Sequence, residues 1–238
     1  MPEPDLPLLA LSGVTAAYGK IEVLHGVDLV VNRGEVVALL GPNGAGKSTT
    51  LKVISGQMVP TGGCVHVACR HVNGVKPEEL ARIGVCTIPE GRGIFRNLTV
   101  RENLRMATFS GAQYGHVEDK AFAQFPRLKD RAGQQAGTLS GGEQQMLSMA
   151  RGLVTEPGVL LLDELSMGLA PMIVGELYEI VDGIAETGVS ILVVEQFART
   201  VLGVADYAVI MQHGRVSASG SPADIEQELS TAYLGAST

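Results

Sequence analysis

The stretch Gly41-Pro42-Asn43-Gly44-Ala45-Gly46-Lys47-Ser48 decides the fold, because it fits the phosphate-binding pattern G-x-x-x-x-G-K-[ST]. Each part has a physical purpose. The glycines let the backbone turn tightly, so successive N–H groups point inward and can hold anionic oxygens. A helix opening near Gly46 adds its positive end to the same place. Lys47 is placed to reach the β- and γ-phosphates, and the Ser48 hydroxyl to ligate Mg²⁺. Thr49 follows directly and is counted with the cradle. A chance match in a chain this long is on the order of one in a hundred. Context strengthens it: the apolar run Val36–Leu40 precedes the loop and helix-forming residues Thr50–Gln57 follow.

Outward from the loop, the other apolar runs are short and bounded by turn residues. Gly84–Ile88, Val159–Leu162 and Ile191–Val194 read, like Val36–Leu40, as strands buried on both faces. Such runs belong to a parallel sheet covered by helices. Leu8–Ala17 and Val23–Val31 are nearer to alternating and flank Tyr18-Gly19-Lys20, which predicts an antiparallel hairpin beside the parallel sheet. A second hairpin is predicted near the end, with His213-Gly214 between Tyr207–Met211 and Arg215–Ser219. From Arg96 to Glu156 the strand signal vanishes. Thr99 and Glu102 form a capping box there, Ser110–Gly115 reads as a loop, and Asp119–Phe125 reads as helix.

The fold class is therefore α/β, a P-loop NTPase core with a mostly parallel sheet. To it are added an N-terminal antiparallel β-subdomain and an inserted α-helical subdomain. The expected division is a single domain over 1–238, with 1–95 and 157–238 as the nucleotide-binding core and 96–156 as the helical insertion.

The run Val159–Leu162 ends in Asp163-Glu164. A buried strand ending in two acids holds them at the carboxyl edge of the sheet, where open α/β folds bind ligands. Asp163 is the expected holder of Mg²⁺, and Glu164 the expected general base for the attacking water. Two solvated acids at a strand end would be the plainer explanation, and the P-loop weighs against it.

Leu139-Ser140-Gly141-Gly142-Glu143-Gln144 is the third segment with chemistry. Ser140 and Glu143 also make a capping box, worth about 1 kcal/mol to any helix. A capping box does not require Gly141-Gly142. Two glycines before a helix form a second anion nest. One nucleotide has no use for two nests in one chain, unless the second serves the nucleotide of another copy. That predicts a head-to-tail dimer with two ATP molecules sandwiched between the copies.

Through these segments the sequence resembles the ABC ATPase family over nearly its whole length. In that family LSGGEQ is the signature motif that completes the partner's active site. The resemblance implies that Tyr18 stacks on adenine, and that Ser166–Ala170 crosses the dimer interface. Three positions depart from the general pattern. Glu90 stands where a glutamine is usual, and the resemblance leaves it able to reach Mg²⁺ or its water. Gln196 stands where the switch histidine is usual; its amide can donate to the γ-phosphate but cannot ionise. Leu165 stands where a proline often follows the catalytic glutamate.

Glu90 within P-E-G-R and Gln196 within V-E-Q resemble the ATP-binding subunits of branched-chain amino acid importers. So do Phe125–Leu128, Ser140–Leu147, Gly168–Pro171 and Ala232–Gly235. The resemblance implies ATP and Mg²⁺ as cofactors and a homodimer or heterodimer with a second ABC ATPase. It also implies transmembrane permease subunits, an external substrate-binding protein engaged indirectly, and a peripheral place on the cytoplasmic face of the cell membrane. It makes the 96–156 insertion the surface that docks the permease, with Glu90–Gly93 as the hinge into it. Importers of urea and short amides have similar ATPase subunits and are the main alternative for the cargo.

Composition agrees with this class. The 238 residues carry a formal charge of -7 with acids and bases scattered, which makes a nucleic-acid partner a poor expectation. No apolar run approaches the roughly 18 residues a membrane helix needs. The acidic, proline-broken start is unlike a signal peptide. Cys64, Cys69 and Cys86 are odd in number and show no C-x-x-C, so free thiols are expected. Two other classes fit less well. A soluble ABC protein of DNA repair or translation would usually need a coiled coil or a second nucleotide domain. A slow regulatory P-loop switch would not need both LSGGEQ and Glu164.

Overall fold

A computed structural model describes residues 6–91, 93–107 and 114–235. Two sheets are stacked around the segment that follows the P-loop. The larger holds β3 (Val36–Leu40), β6 (Val85–Ile88), β7 (Val159–Asp163), β8 (Ser190–Glu195), β9 (Tyr207–Gln212) and β10 (Arg215–Gly220). Their order is β10-β9-β3-β8-β7-β6. All neighbours are parallel except β9 and β10, the predicted closing hairpin. The smaller sheet contains β1 (Leu9–Tyr18), β2 (Ile21–Val31), β4 (Gly62–Val67) and β5 (Arg70–His71), all antiparallel in the order β2-β1-β4-β5.

The central strand explains why apolar runs appear without alternation. Every residue of β3 is buried. Val37 and Leu39 point toward the small sheet, where they join Leu9, Leu11, Leu24 and Val65 in one core. Val36, Ala38 and Leu40 point the other way, into a second core built by helices. A strand that feeds two cores has no face left for polar residues. α1 (Lys47–Ile54) lies in the first core through Leu51, Val53 and Ile54, and α2 (Pro77–Arg82) through Leu80.

The second core is covered by α7 (Pro171–Glu186), whose Val174, Leu177, Tyr178, Val181 and Ile184 are buried at helical spacing. Full burial of such side chains is worth roughly 1.5–3 kcal/mol each. Between β6 and β7 the described residues form α3 (Val100–Arg105), α4 (Tyr114–Gln124), α5 (Pro126–Asp130), a 3-10 turn at Ala136–Thr138 and α6 (Gly141–Leu153). Two β-bridge partners, Thr99 and Gln135, are the exception to the helical pattern there.

Three local expectations need correction. The predicted N-terminal hairpin is half of a four-stranded sheet of its own. β4 opens on Gly62-Gly63 and β5 has two residues, so neither shows a strand pattern in sequence. The helix after the P-loop opens at Lys47 with Gly46 as its cap, where it was expected, but ends at Ile54 instead of reaching Gln57, because a glycine with φ +72°, Gly56, follows its end. Of the predicted loop Ser110–Gly115, positions 110–113 lie outside the described residues, and Tyr114 and Gly115 already belong to α4. That helix therefore starts five residues before Asp119.

Candidate functional site

Register places the chemistry. β8 lies between β3 and β7, with Leu40 opposite Glu195 and Asp163 opposite Val194. The P-loop, the acid pair and Gln196 consequently all leave the sheet at one edge. A cleft at this edge is lined by Asn43 through Thr49, with Val23 and Glu164 beside them. Val23 carries no motif, and only the packing of β2 against the loop brings it here.

Gly46 shows why the loop needs glycine. Its φ is +106°, and a Cβ there would meet the Leu24 side chain at 2.8 Å. Both conditions exclude other residues at low cost. Gly41 has a similar constraint, since its Cβ would lie 2.3 Å from the Met211 carbonyl oxygen. Lys47 is only 4% exposed. Its Nζ donates to the carbonyls of Gly41 at 2.7 Å and Pro42 at 3.2 Å, so the ammonium curls over its own loop. Burial lowers its pKa, against the opposing pull of Glu164, Asp163 and Glu195. Pro42, Asn43, Gly44 and Ser48 are exposed around the cradle, while Ala45 and Thr49 are buried.

The acids outnumber the base. Burial pushes the Asp163 carboxyl up to about 6, and the charges of Glu164, Glu90 and Glu195 add to this against Lys47. Its Oδ1 is buried without a hydrogen-bond partner among the described residues. Orphaned carboxylate oxygen and surplus negative charge fit a divalent cation, with the exposed Ser48 hydroxyl as a neutral companion ligand. Glu90 is exposed in the turn after β6 and engages Asp163 only through its charge.

Glu164 adopts φ +48°, and its N–H donates to the Val194 carbonyl at 2.9 Å. The following Leu165 is 1% exposed and packs into the helical core. A proline at 165 would drive residue 164 toward extended conformations. Leucine at this departure is thus consistent with the positive φ. Gln196 is exposed, immediately beyond β8.

Tyr18 ends β1 and is 44% exposed. Lys52 donates to its hydroxyl at 3.2 Å and lies 5.4 Å from its ring centroid. The Thr49 and Lys52 side chains at its hydroxyl lower its pKa. The ring thus sits beside the first turns of α1, at the rim of the P-loop.

The signature segment lies elsewhere. Ser140 caps α6, with its N–H donating to Glu143 Oε2 at 2.8 Å and its Oγ accepting from the Glu143 N–H at 3.3 Å. Ser140 and then Arg131 hold the Glu143 carboxyl below its usual range. Gly141 begins the helix. Gly142 is buried, and a Cβ there would meet Ile173 of α7 at 2.4 Å. The second glycine thus has a packing purpose that the sequence did not reveal. Among the described residues that line the P-loop cleft, none comes from 140–143.

The turn between the acid pair and α7 is fastened by Glu195, whose partners sequence reasoning missed. In the stretch expected to act as a hinge, Gly91 and Gly93 both have positive φ, and Arg151 of α6 donates to the Gly93 carbonyl. The Arg151 guanidinium also lies 4.8 Å from the Phe95 ring centroid. The remaining residue of that stretch, Arg92, lies outside the described residues.

The sequence model of the family described as ABC transporter matches residues 24–166. The chain belongs to the ABC transporter family. As a member it is an ATP-binding, ATP-hydrolysing transport ATPase. Among relatives of this ABC chain is the high-affinity branched-chain amino acid transport ATP-binding protein BraG of Pseudomonas aeruginosa. It is 40% identical over 232 residues, covering 96% of this chain and 100% of the relative. A solved ATP-binding subunit of an ABC transporter superposes with a TM-score of 0.81 at 32% identity, covering 94% of this chain and 93% of that one. A dimeric structure of MJ0796, a bacterial ABC transporter cassette, superposes with a TM-score of 0.80 at 25% identity, covering 90% and 98%. Among the described residues of this ABC ATPase, no helix is long and apolar enough to cross a membrane.

Proposed function

We propose that this chain energises an importer of branched-chain amino acids from the cytoplasmic face of the membrane, through partner permease subunits. The supporting observation is its likeness to BraG, whose name carries that cargo, at 40% identity over the full length of the relative. An external binding protein would present the cargo, and this chain would not touch it. Within 1–238, residues 96–156 act as the subdomain that docks the permease, and 1–95 with 157–238 form the nucleotide core.

The site residues divide the work. Backbone N–H groups from Asn43 to Thr49 hold the phosphates, with Gly41 and Pro42 shaping the loop, Lys47 neutralises their charge, and Tyr18 stacks on the base. Ser48 and Asp163 hold Mg²⁺, with Glu90 near enough to act through water. Mg²⁺ supplies charge neutralisation on the phosphate oxygens. Glu164 takes the proton of the attacking water. Gln196 donates an amide hydrogen bond at the γ-phosphate and stays uncharged at every working pH. Ser140 to Glu143 of a second copy close the site, in a homodimer or with a second ABC ATPase. The dimeric cassette similar to this chain supports such an arrangement.

Copurification and calorimetry test the proposal. A tagged chain should bring down a hydrophobic membrane subunit. The binding protein of the same transporter should bind leucine, isoleucine and valine. Tight binding of urea or acetamide, with none for leucine, would move the assignment to the amide importers and leave the ATPase chemistry as it stands.

A further inference from the structure

Glu195 is a carboxylate where a strand core would favour an apolar side chain. It ends β8 at 2% exposure, one residue before Gln196. A charge so buried requires donors. Three reach it. Its Oε1 accepts from the Ser166 backbone N–H at 2.8 Å and from the Tyr178 hydroxyl at 2.8 Å. Its Oε2 accepts from Ser166 Oγ at 2.8 Å. A carboxylate presents only acceptors and takes all three donors at once; an amide could keep its oxygen for the Ser166 N–H and the Tyr178 hydroxyl, but its NH2 would reverse the third bond, making the Ser166 hydroxyl accept and sending its proton elsewhere. Among the described residues none of these partners is a cation.

The partners come from two places that matter. Ser166 lies two residues after Glu164, in the turn that leads to α7. Tyr178 is on α7 itself and is 2% exposed. Glu164 is separately tied to the same strand through its N–H bond to Val194. The turn bearing the general base is therefore fastened to the end of β8 both at Glu164 and at Ser166. The anchoring strand also carries Gln196. Taking the ATPase roles proposed above as given, we propose that Glu195 is a positioning residue for hydrolysis. Its buried carboxylate clamps Ser166 and Tyr178 to the end of β8 and fixes Glu164 and Gln196 relative to one another. It touches neither nucleotide nor water and acts through the turn it holds.

Three variants test the clamp. Tyr178→Phe deletes one donor and keeps the ring. Ser166→Ala deletes the hydroxyl and keeps the N–H. Glu195→Gln keeps the shape and turns one acceptor into a donor. Rates are counted per nucleotide site titrated with a fluorescent ATP analogue, so lost folded protein does not enter. Each of the three variants should lower kcat about tenfold, with KM for ATP within about twofold of wild type. Ser166→Ala added to Glu195→Gln should cost far less than the product of the two single effects. A fall confined to kcat in either donor variant supports the clamp. Wild-type kcat in both, a loss confined to KM, or full additivity overturns it. If Glu195→Gln does not fold, the two donor variants decide. A wild-type chain that hydrolyses no ATP would strike the proposed function instead, because the clamp predicts differences among active chains.

Discussion

The P-loop end and the signature end of this chain both place glycines before a helix, yet they are built to opposite ends. At the P-loop the chain leaves itself unsatisfied. Lys47 is buried and folded onto its own loop, Asp163 Oδ1 has no hydrogen-bond partner among the described residues, and acids crowd the Lys47 ammonium. At the signature the chain satisfies itself. Ser140 and Glu143 complete each other's hydrogen bonds, Arg131 pairs with Glu143 at 3.4 Å, and Gly142 is packed under Ile173. The first region is organised around charge that the chain does not supply. The second is a finished surface, suited to meet a ligand held by something else. One motif type thus serves a site in one place and a rigid platform in the other.

Removing chemistry from the unsatisfied end should have the largest effect. Glu164→Gln should lower hydrolysis at least about a hundredfold while ATP still binds. Turnover and nucleotide affinity measured on the same sample check this, and near wild-type turnover would remove Glu164 as the base. At the finished end the damage should fall on folding. Gly142→Ala drives a methyl into Ile173 and should destabilise by about 1–3 kcal/mol, read from urea unfolding. Unchanged stability would mean that α6 and α7 shift apart freely.

The unsatisfied charge also gives a pH signature. The Asp163 carboxyl keeps its proton up to about 6, above the ordinary 3.8. Between those values the folded chain holds more protons than the unfolded one, so stability without ligand falls as pH rises through that window. Above pH 6 the penalty is present in full. Asp163→Asn should therefore raise the Tm of the ligand-free chain at pH 7.5 by roughly 2–4 °C and leave it unchanged at pH 4. A lower Tm at pH 7.5 would contradict the crowding of acids. The smallest effect belongs to Ser140→Ala, which should cost about 1 kcal/mol through loss of the helix cap.

Much of this was legible in sequence for a physical reason. Val36–Leu40 is apolar without alternation because both faces are buried, and the P-loop follows at once, so strand, loop and helix announce one another. The acid pair was legible because polar residues that end a buried strand must emerge at the sheet edge. Other features were hidden by the same logic. β4 opens on two glycines and β5 has only two residues, so neither shows a period. Glu195 stands in the sequence only as the middle of V-E-Q, and its burial follows only from the packing of α7 and the Ser166 turn. Gly142 reads as a phosphate nest, while its contact with Ile173 depends on how two helices far apart in sequence meet.

Under the proposed function the finished signature surface serves the unsatisfied site of another copy. Complementation between two inactive variants tests it most directly. Lys47→Ala disables the P-loop, and Ser140→Arg disables the signature. Each alone should be inactive. In a mixed dimer, one site combines both lesions and the other combines an intact P-loop with an intact signature. Equal mixing should restore hydrolysis to roughly a quarter of wild type, as expected for random pairing into two-fold dimers with one good site. A mixture that shows only the sum of the two inactive variants, under conditions where they exchange partners, would contradict the account.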